Sequence, residues 1–488
     1  MTRTRHALLG VDVGTQGIRV VAVDPVGELL SSHHTVIPLQ KRGHVHEQSP
    51  QGWWDALLPL LRAVATDLRT AVEPVQPLAL SVTSTSGTVI PLAADHTLLH
   101  SALMYDDTRA VIQAERCQVA SGAEGQPQVP FGSSFGLPKI VWYAESHRDE
   151  AKRIASWCHA ADFLIGLLSG VWGMTDPTNA LKSGYDPELG VWPRFITEGL
   201  SIPATWLPNV VPSGSTVGPI LDAVADTTGL PSTLAVTTGM TDGCASQIAA
   251  GAVQPGEWST TIGTTLVIKG VTRLPILDPH GRLYNHRHPE GWWMPGGASN
   301  TGANWVARDY AGQDLAHLDD LAWDVTPTPW ISYPLVGEGE RFPFIAPHAR
   351  GFEPDGLAEP ERYAARLEGV AYLERLAYEM LEGLSGEMVN RVSTAGGGSR
   401  STTWLTIRAN VLRKPVVRMR HADAAVGAAI LAGSSTIFDG LGSAAGAMTR
   451  LEQEVDPGAL SDAYEDGYRR FVAALMERGY LALAANSI

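Results

Sequence analysis

Two segments about 250 residues apart carry one pattern, and that pattern limits what the chain can fold into. The first is Leu8-Leu9-Gly10-Val11-Asp12-Val13-Gly14-Thr15-Gln16-Gly17-Ile18-Arg19-Val20-Val21-Ala22-Val23-Asp24. The second is Trp258-Ser259-Thr260-Thr261-Ile262-Gly263-Thr264-Thr265-Leu266-Val267-Ile268-Lys269. Each is a β-rich run that breaks at a Gly-Thr turn and resumes as strand. A buried strand, a glycine turn with free backbone N–H groups and a hydroxyl make a cradle for phosphate. One such hairpin is weak evidence. Two predict a duplicated α/β fold with ATP held between the copies.

The chain is 488 residues long, comfortable for two domains. It is 44% hydrophobic and 18% charged, so it can bury large cores and is not disordered. The net charge of −15 argues against a nucleic-acid or anionic-membrane partner. Cys117, Cys158 and Cys244 are too widely spaced to indicate a disulfide framework or a zinc site. No apolar run reaches the ~20 residues needed to cross a membrane. No signal-peptide pattern precedes the first strand, so a cytoplasmic location is the default expectation.

Patterning predicts strands at Ala7–Val13 and Ile18–Val23, with a third starting near Glu28. A helix is expected over 51–70, where Trp53, Trp54, Leu57, Leu60, Leu61 and Val64 recur at helical spacing. Strands follow at Leu78–Thr83, Val89–Leu92 and Leu234–Thr238. Gly239-Met240-Thr241-Asp242-Gly243 is expected to open a helix. Long helices are expected over 359–392 and 458–485, a strand at Val392–Ala395, and an Ala/Gly-rich helix over 424–432. Domains are expected at 1–250 and 251–488.

Asp12 ends the first buried strand; it either orients a cation against phosphates or caps the turn. Asp242 stands at an expected helix start. It is either an N-cap or a general base for a substrate hydroxyl. Gly396-Gly397-Gly398 lets a ligand approach the backbone, and Trp404 is either a base-stacking or a core residue. Asp107 and Arg109 either bind sugar hydroxyls or form a surface ion pair. The chain has no Gly-x-x-x-x-Gly-Lys-Ser/Thr, which argues against a P-loop kinase.

Six segments in this order resemble the FGGY carbohydrate kinases: Gly10-Val11-Asp12-Val13-Gly14-Thr15, Tyr105-x-Asp107-x-Arg109, Lys139-Ile140-Val141-Trp142, Asp242-Gly243, Gly263-Thr264-Thr265 and Gly396-Gly397-Gly398. The resemblance implies two actin-like (ribonuclease H-like) α/β domains with an interdomain active-site cleft. The sugar would lie mainly on the first domain and ATP mainly on the second. It implies Asp242 as catalytic base, with Asp12 facing the transferred phosphate and Mg²⁺. Gly14, Thr15, Gln16, Gly263, Thr264, Thr265 and the Gly297–Gly302 stretch would meet the phosphates. Gly397, Gly398, Ser401 and Trp404 would hold the adenosine, and Ser86, Gly87, Asp107 and Arg109 the sugar. Lys139 and Trp142 match only part of the family pattern and are read as structural.

Thr85-Ser86-Gly87-Thr88, Asp176 to Asp186 and Gly296 to Gly302 resemble the xylulokinase-like plant and cyanobacterial subgroup associated with D-ribulose. Typical xylulokinases carry a Met-His pair near the Ser86 turn that this chain lacks, which favours D-ribulose over D-xylulose. Tyr105-Asp106 replaces the usual Trp-Asn, adding a carboxylate. Ser399 replaces the common Ala, and Ser401 stands where Asn is frequent. Other ketoses and polyols remain as alternative substrates, and a non-catalytic ATP-binding regulator as an alternative role. Tyr468, Phe471, Leu475, Tyr480 and Leu483 either pack on the core or form a homodimer face.

Overall fold

The computed structural model describes residues 5–38, 41–123 and 130–481. Chain contacts divide it into two units. One comprises residues 1–249, 286–292 and 421–450, the other 250–285, 293–420 and 451–488. The division is therefore not the single cut near 250 expected from the sequence. Two later segments return to the first unit.

The first unit is built on a six-stranded sheet. Its strands in chain order are β1 (Arg5–Gly14), β2 (Gly17–Val23), β3 (Leu29–Val36), β4 (Val75–Ser84), β5 (Thr216–Pro219) and β6 (Ala235–Thr241). They lie side by side as β5-β6-β4-β1-β2-β3. β1, β4 and β6 are parallel, while β2, β3 and β5 run against their neighbours. β1 reads as one apolar run because both of its faces are covered. Its odd residues Ala7, Leu9, Val11 and Val13 share a core with Trp53, Leu57, Leu61 and Val64 of the Pro50–Thr70 helix. That helix starts where Ser49 Oγ accepts from the Gly52 N–H, with Pro50 in its first turn.

The even residues of β1 face the Ala424–Ser434 helix. A Cβ on Gly10 would lie 1.8 Å from the Ala425 carbonyl oxygen, so this contact needs glycine. Strand alternation puts Asp12 on that same face. The Gly239-Met240-Thr241 stretch, expected to open a helix, completes β6 instead, and the helix Asp242–Ala249 begins one residue later. A Cβ on Gly239 would sit 1.6 Å from Val82 O, so the glycine serves strand packing. A smaller five-stranded sheet includes Val89–Leu92 and Ser156–His159 and packs beneath the Gly136–Ser146 helix.

The second unit repeats the plan with β7 (Glu257–Ile262), β8 (Leu266–Gly270), β9 (Trp293–Ser299), β10 (Arg391–Ala395), β11 (Val416–Met419) and β12 (Leu451–Val455). These lie in the order β9-β8-β7-β10-β11-β12. An antiparallel meander (β7, β8, β9) is extended by parallel β10 and β11 and closed by antiparallel β12. Apart from a seventh strand, Tyr284–Arg287, that flanks β9, this matches the first sheet strand for strand, except that β12 follows its parallel neighbour in the chain whereas β5 precedes its own. The long helix is Glu359–Ser385, ending at Gly386 in the left-handed conformation. The last helix is Ala463–Glu477, shorter than the expected 458–485. Tyr468, Phe471 and Leu475 pack into the core, and Leu483 lies outside the described residues.

Candidate active site

Sheet register brings the acidic candidates of the first unit together. Asp12 on β1 pairs with Thr83 on β4, and Thr83 with Met240 on β6. The three strands are parallel and adjacent, so they end at one level. Just beyond those ends lie the Gly14-Thr15-Gln16-Gly17 turn, the Thr85–Thr88 turn and Asp242. The carboxyl ends of parallel strands are where α/β sheets bind ligands. The Asp242 carboxylate accepts a hydrogen bond from the Gly243 N–H at 2.6 Å.

Asp12 is held in a state far from an ordinary carboxylate. Burial, then the negative charges of Asp242 and Asp423, push its pKa up to about 7, against the opposing pull of Arg19. Asp12 Oδ1 is enclosed and has no hydrogen-bond partner. Asp423 caps the Ala424–Ser434 helix and lies 4.0 Å from Arg19. It was not singled out from the sequence, although an Asp immediately before an Ala/Gly-rich helix is an N-cap signal.

A cavity of about 660 Å³ is lined by Asp12, Thr15, Gln16, Arg19, Tyr105 and Asp106, among others. Asp106 accepts from Lys41 Nζ at 2.9 Å and pairs closely with His46 Nδ1. The Thr15 turn is pinned from outside: Gln48 Nε2 donates to Thr15 O at 2.8 Å, and Trp53 Nε1 fixes the Gln48 carbonyl. Lys41, His46 and Gln48 gave no sequence signal, because their roles come from two short paired strands, Lys41–Arg42 and Val45–Gln48, folding back beside the turn.

Of the expected sugar residues, Ser86 Oγ is enclosed without a partner. Gly87 has φ +91°, and a Cβ there would meet Ser134 O at 2.8 Å. Asp107 and Arg109, expected to meet the sugar, have their carboxylate and guanidinium engaged with protein groups. Asp107 is fully buried and accepts from the His46 N–H and from Arg109 Nε and Nη2. Arg109 also donates to Glu47 and lies over the Trp142 ring, 4.6 Å from its centroid. This is a largely buried ion pair rather than a surface one. Tyr105 and Asp106, earlier in that segment, line the cavity.

In the second unit, the turn after β7 (Gly263-Thr264-Thr265) and Gly396-Gly397-Gly398 after β10 also adjoin. Thr261 pairs with Ala395, and a Cβ on Gly396 would lie 2.5 Å from Ile262 O. Gly302 packs against Thr265, with Ala303 N donating to Gly263 O at 2.7 Å. Glu340 braces this loop by accepting from Ser299 Oγ, the Asn300 N–H, Thr301 Oγ1 and Tyr333 OH. Thr264 is exposed, and so is Gly397. Trp404 is a core residue, not a stacking surface. It is 2% exposed and its indole N–H donates to Leu367 O. The Ser401 hydroxyl caps the Thr402–Leu412 helix, accepting from the Trp404 N–H.

The chain resembles known proteins over nearly all of this architecture. It is 25% identical to the xylulose kinase of Staphylococcus epidermidis over 489 residues, covering 96% of both chains. The solved xylulose kinase from Rhodospirillum rubrum superposes with a TM-score of 0.85 at 23% identity, covering 97% of this chain and 99% of that one. The Plasmodium falciparum glycerol kinase solved with ADP gives 0.86 at 18% identity, over 98% and 99%. Residues 7–249 match the N-terminal domain of the FGGY family of carbohydrate kinases and residues 258–436 match its C-terminal domain. With both domain models matched in order, on two actin-like units whose strand ends carry the acidic and glycine-rich turns, this chain belongs to the FGGY family of carbohydrate kinases, and it is a sugar phosphotransferase.

Proposed function

We infer that the chain phosphorylates the terminal hydroxyl of a pentulose with ATP, D-ribulose being the first candidate. The observation that carries this reading is the convergence of Asp12, the Ser86 turn and Asp242 at the ends of three adjacent parallel strands. Ser86 meets a sugar hydroxyl with its enclosed, unpartnered oxygen. Asp106 adds an acceptor on the cavity wall. Asp242 takes the proton of the 5-hydroxyl as that oxygen attacks the γ-phosphorus. Backbone N–H groups of the Thr15 turn hold the transferring group, where pre-aimed donors lower the barrier most, and those of the Gly263–Thr265 turn meet the nucleotide phosphates. Gly397 is exposed with open space where a Cβ would stand and leaves room for the nucleotide at the backbone, while Gly302 and Gly398 shape the loops by packing on Thr265 and Ile262.

The donor set suits Mg²⁺. Asp12 offers one enclosed carboxylate oxygen without a partner, and among the described residues no group of three or more His, Cys, Asp or Glu could hold a metal. A magnesium ion usually takes one or two carboxylates and completes its shell with phosphate oxygens and water. Bound there through Asp12, it would neutralise charge on the phosphates.

D-Xylulose is the second candidate, favoured by the xylulose kinases among the relatives. The absence of a Met-His pair beside the Ser86 turn favours D-ribulose. A coupled ADP-release assay with Mg·ATP decides, run with D-ribulose, D-xylulose, L-ribulose, ribitol and glycerol and without sugar. Stimulation by D-ribulose above the others supports the reading. Stimulation by D-xylulose instead keeps the mechanism and replaces the substrate. ADP release that no pentulose stimulates overturns the pentulose assignment.

A further inference from the structure

Among the described residues of the first unit, Lys139 is the one buried lysine, and the mechanism above leaves it unused. It sits in the Gly136–Ser146 helix, 0% exposed, and has no carboxylate partner among the described residues. Its Nζ donates to two carbonyl oxygens, Gly87 O and Ser134 O, at 3.0 Å each. Gly87 is the left-handed residue of the Thr85–Thr88 turn, and its backbone is pressed against Ser134. One ammonium group thus ties the turn to the segment leading into the helix. The helix itself is seated closely, since a Cβ on Gly136 would lie 2.9 Å from Val89 Cγ1. Thr85 and Thr88 bond to each other through their hydroxyls, and Thr88 Oγ1 accepts from the Tyr105 N–H, next to Asp106.

An apolar side chain of the same length would fill this space without the cost of removing a charge from water. That cost lowers the affinity of the group for its proton. Burial, then Lys182, with Arg109 acting in the same direction, pushes the Lys139 pKa down to about 7, while Asp107 and Asp106 oppose the shift. What the amine supplies in return is two directed donors on the backbone of the turn that carries Ser86.

We propose that Lys139 is a positioning residue for the sugar: clamped on Gly87 O and Ser134 O, it holds the Ser86–Gly87 turn in the geometry that receives the substrate hydroxyls. This rests on the reading that the turn meets the sugar, and the test separates the two. Sugar affinity is measured calorimetrically on the full chain with D-ribulose and D-xylulose, without nucleotide, beside steady-state KM for ATP. Lys139→Met is expected to weaken sugar binding about tenfold or more, the scale of losing charge-assisted hydrogen bonds. KM for ATP should stay within about twofold.

Ser86→Ala serves as the control. If it weakens sugar binding and Lys139→Met does not, Lys139 is only structural and the proposal falls while the reading stands. If Ser86→Ala has no effect, the turn does not meet the sugar, and both fall. Should Lys139→Met fail to fold, Lys139→Gln decides, since its neutral amide keeps a donor on a shorter side chain. Sugar binding weakened about tenfold with KM for ATP unchanged is the expected result, and sugar binding within about twofold of the unsubstituted chain overturns the proposal.

Discussion

At Asp12, function and stability pull in opposite directions. The carboxylate must ionise to serve as the proposed magnesium ligand, yet burial beside Asp242 and Asp423 raises its pKa from 3.8 to about 7. A raised acid pKa means the folded state holds the proton more tightly than the unfolded chain. The native state therefore keeps its full stability from this site below pH 4 and loses it as pH climbs through 7. The cost above pH 7 is at most about 4 kcal/mol. Asp12→Asn should accordingly raise the Tm of the metal-free protein at pH 8, and the gain should narrow as pH falls toward 4. Equal melting of the two proteins at pH 8 would refute this. Asp242→Ala should lower sugar-dependent turnover by more than ~10²-fold, the usual loss for a positioned base. Turnover within a few-fold of the unsubstituted enzyme would remove Asp242 from the mechanism.

At the scale of elements, small residues and one ion pair decide where the site-bearing turns sit. The Ala424–Ser434 helix lies against the Asp242 helix so closely that a Cβ on Gly427 would stand 1.9 Å from Ala245 O. Gly427→Ala should push the Asp242 helix away, lowering both Tm and kcat while leaving KM for ATP near its original value. A variant with unchanged kcat would mean the helix absorbs the shift elsewhere. In the second unit, Arg408 and Glu374 form a fully buried pair, and Arg408 Nη1 also donates to Thr394 Oγ1 on β10, two residues before Gly396. Arg408→Met leaves a carboxylate buried without its partner and should cost about 3–5 kcal/mol in urea unfolding. Adding Glu374→Leu should restore most of that loss. If it does not, the pair acts through Thr394 rather than through charge burial.

The elements themselves were largely legible. β1 was expected over Ala7–Val13 and runs Arg5–Gly14, and the Pro50–Thr70 helix differs from expectation by one residue. Apolar periodicity carries that information directly. The misread start at Gly239 has a physical cause. Glycine in a strand reads as a breaker, but here it permits the contact of β6 with β4 at Val82.

For the molecule as a whole, the telling feature is that the first unit is discontinuous. Residues 421–450 supply the helix that covers the even face of β1, including Leu8 and Gly10. A fragment ending at residue 250 would expose that apolar face. It should be insoluble or lack cooperative unfolding, and co-expression of 421–450 should improve it. Cooperative unfolding of residues 1–250 alone would show that the helix is dispensable. No cut placed by composition finds this arrangement, because residues 421–450 are separated from β1 by most of the second repeat and are followed by the rest of it.

The sequence alone determined the duplicated plan, the strands and their Gly-Thr turns, and the identity of Asp12, Asp242 and the glycine-rich loops as residues worth pursuing. These are local properties: period-2 and helical spacing, and turn chemistry that a few neighbouring residues carry. Tertiary structure alone decided that Trp404 is core, that Asp107 and Arg109 spend their charges on each other and on Glu47, and that Asp106 faces the cavity in their place. It also assigned Asp423 to Asp12, Glu340 to the Gly302 loop and Lys139 to the Ser86 turn. Each of these is a long-range pairing between a polar side chain and a backbone or charge far away in the chain. Burial and hydrogen-bond partners, which set what a polar group can do, do not exist until the chain has folded.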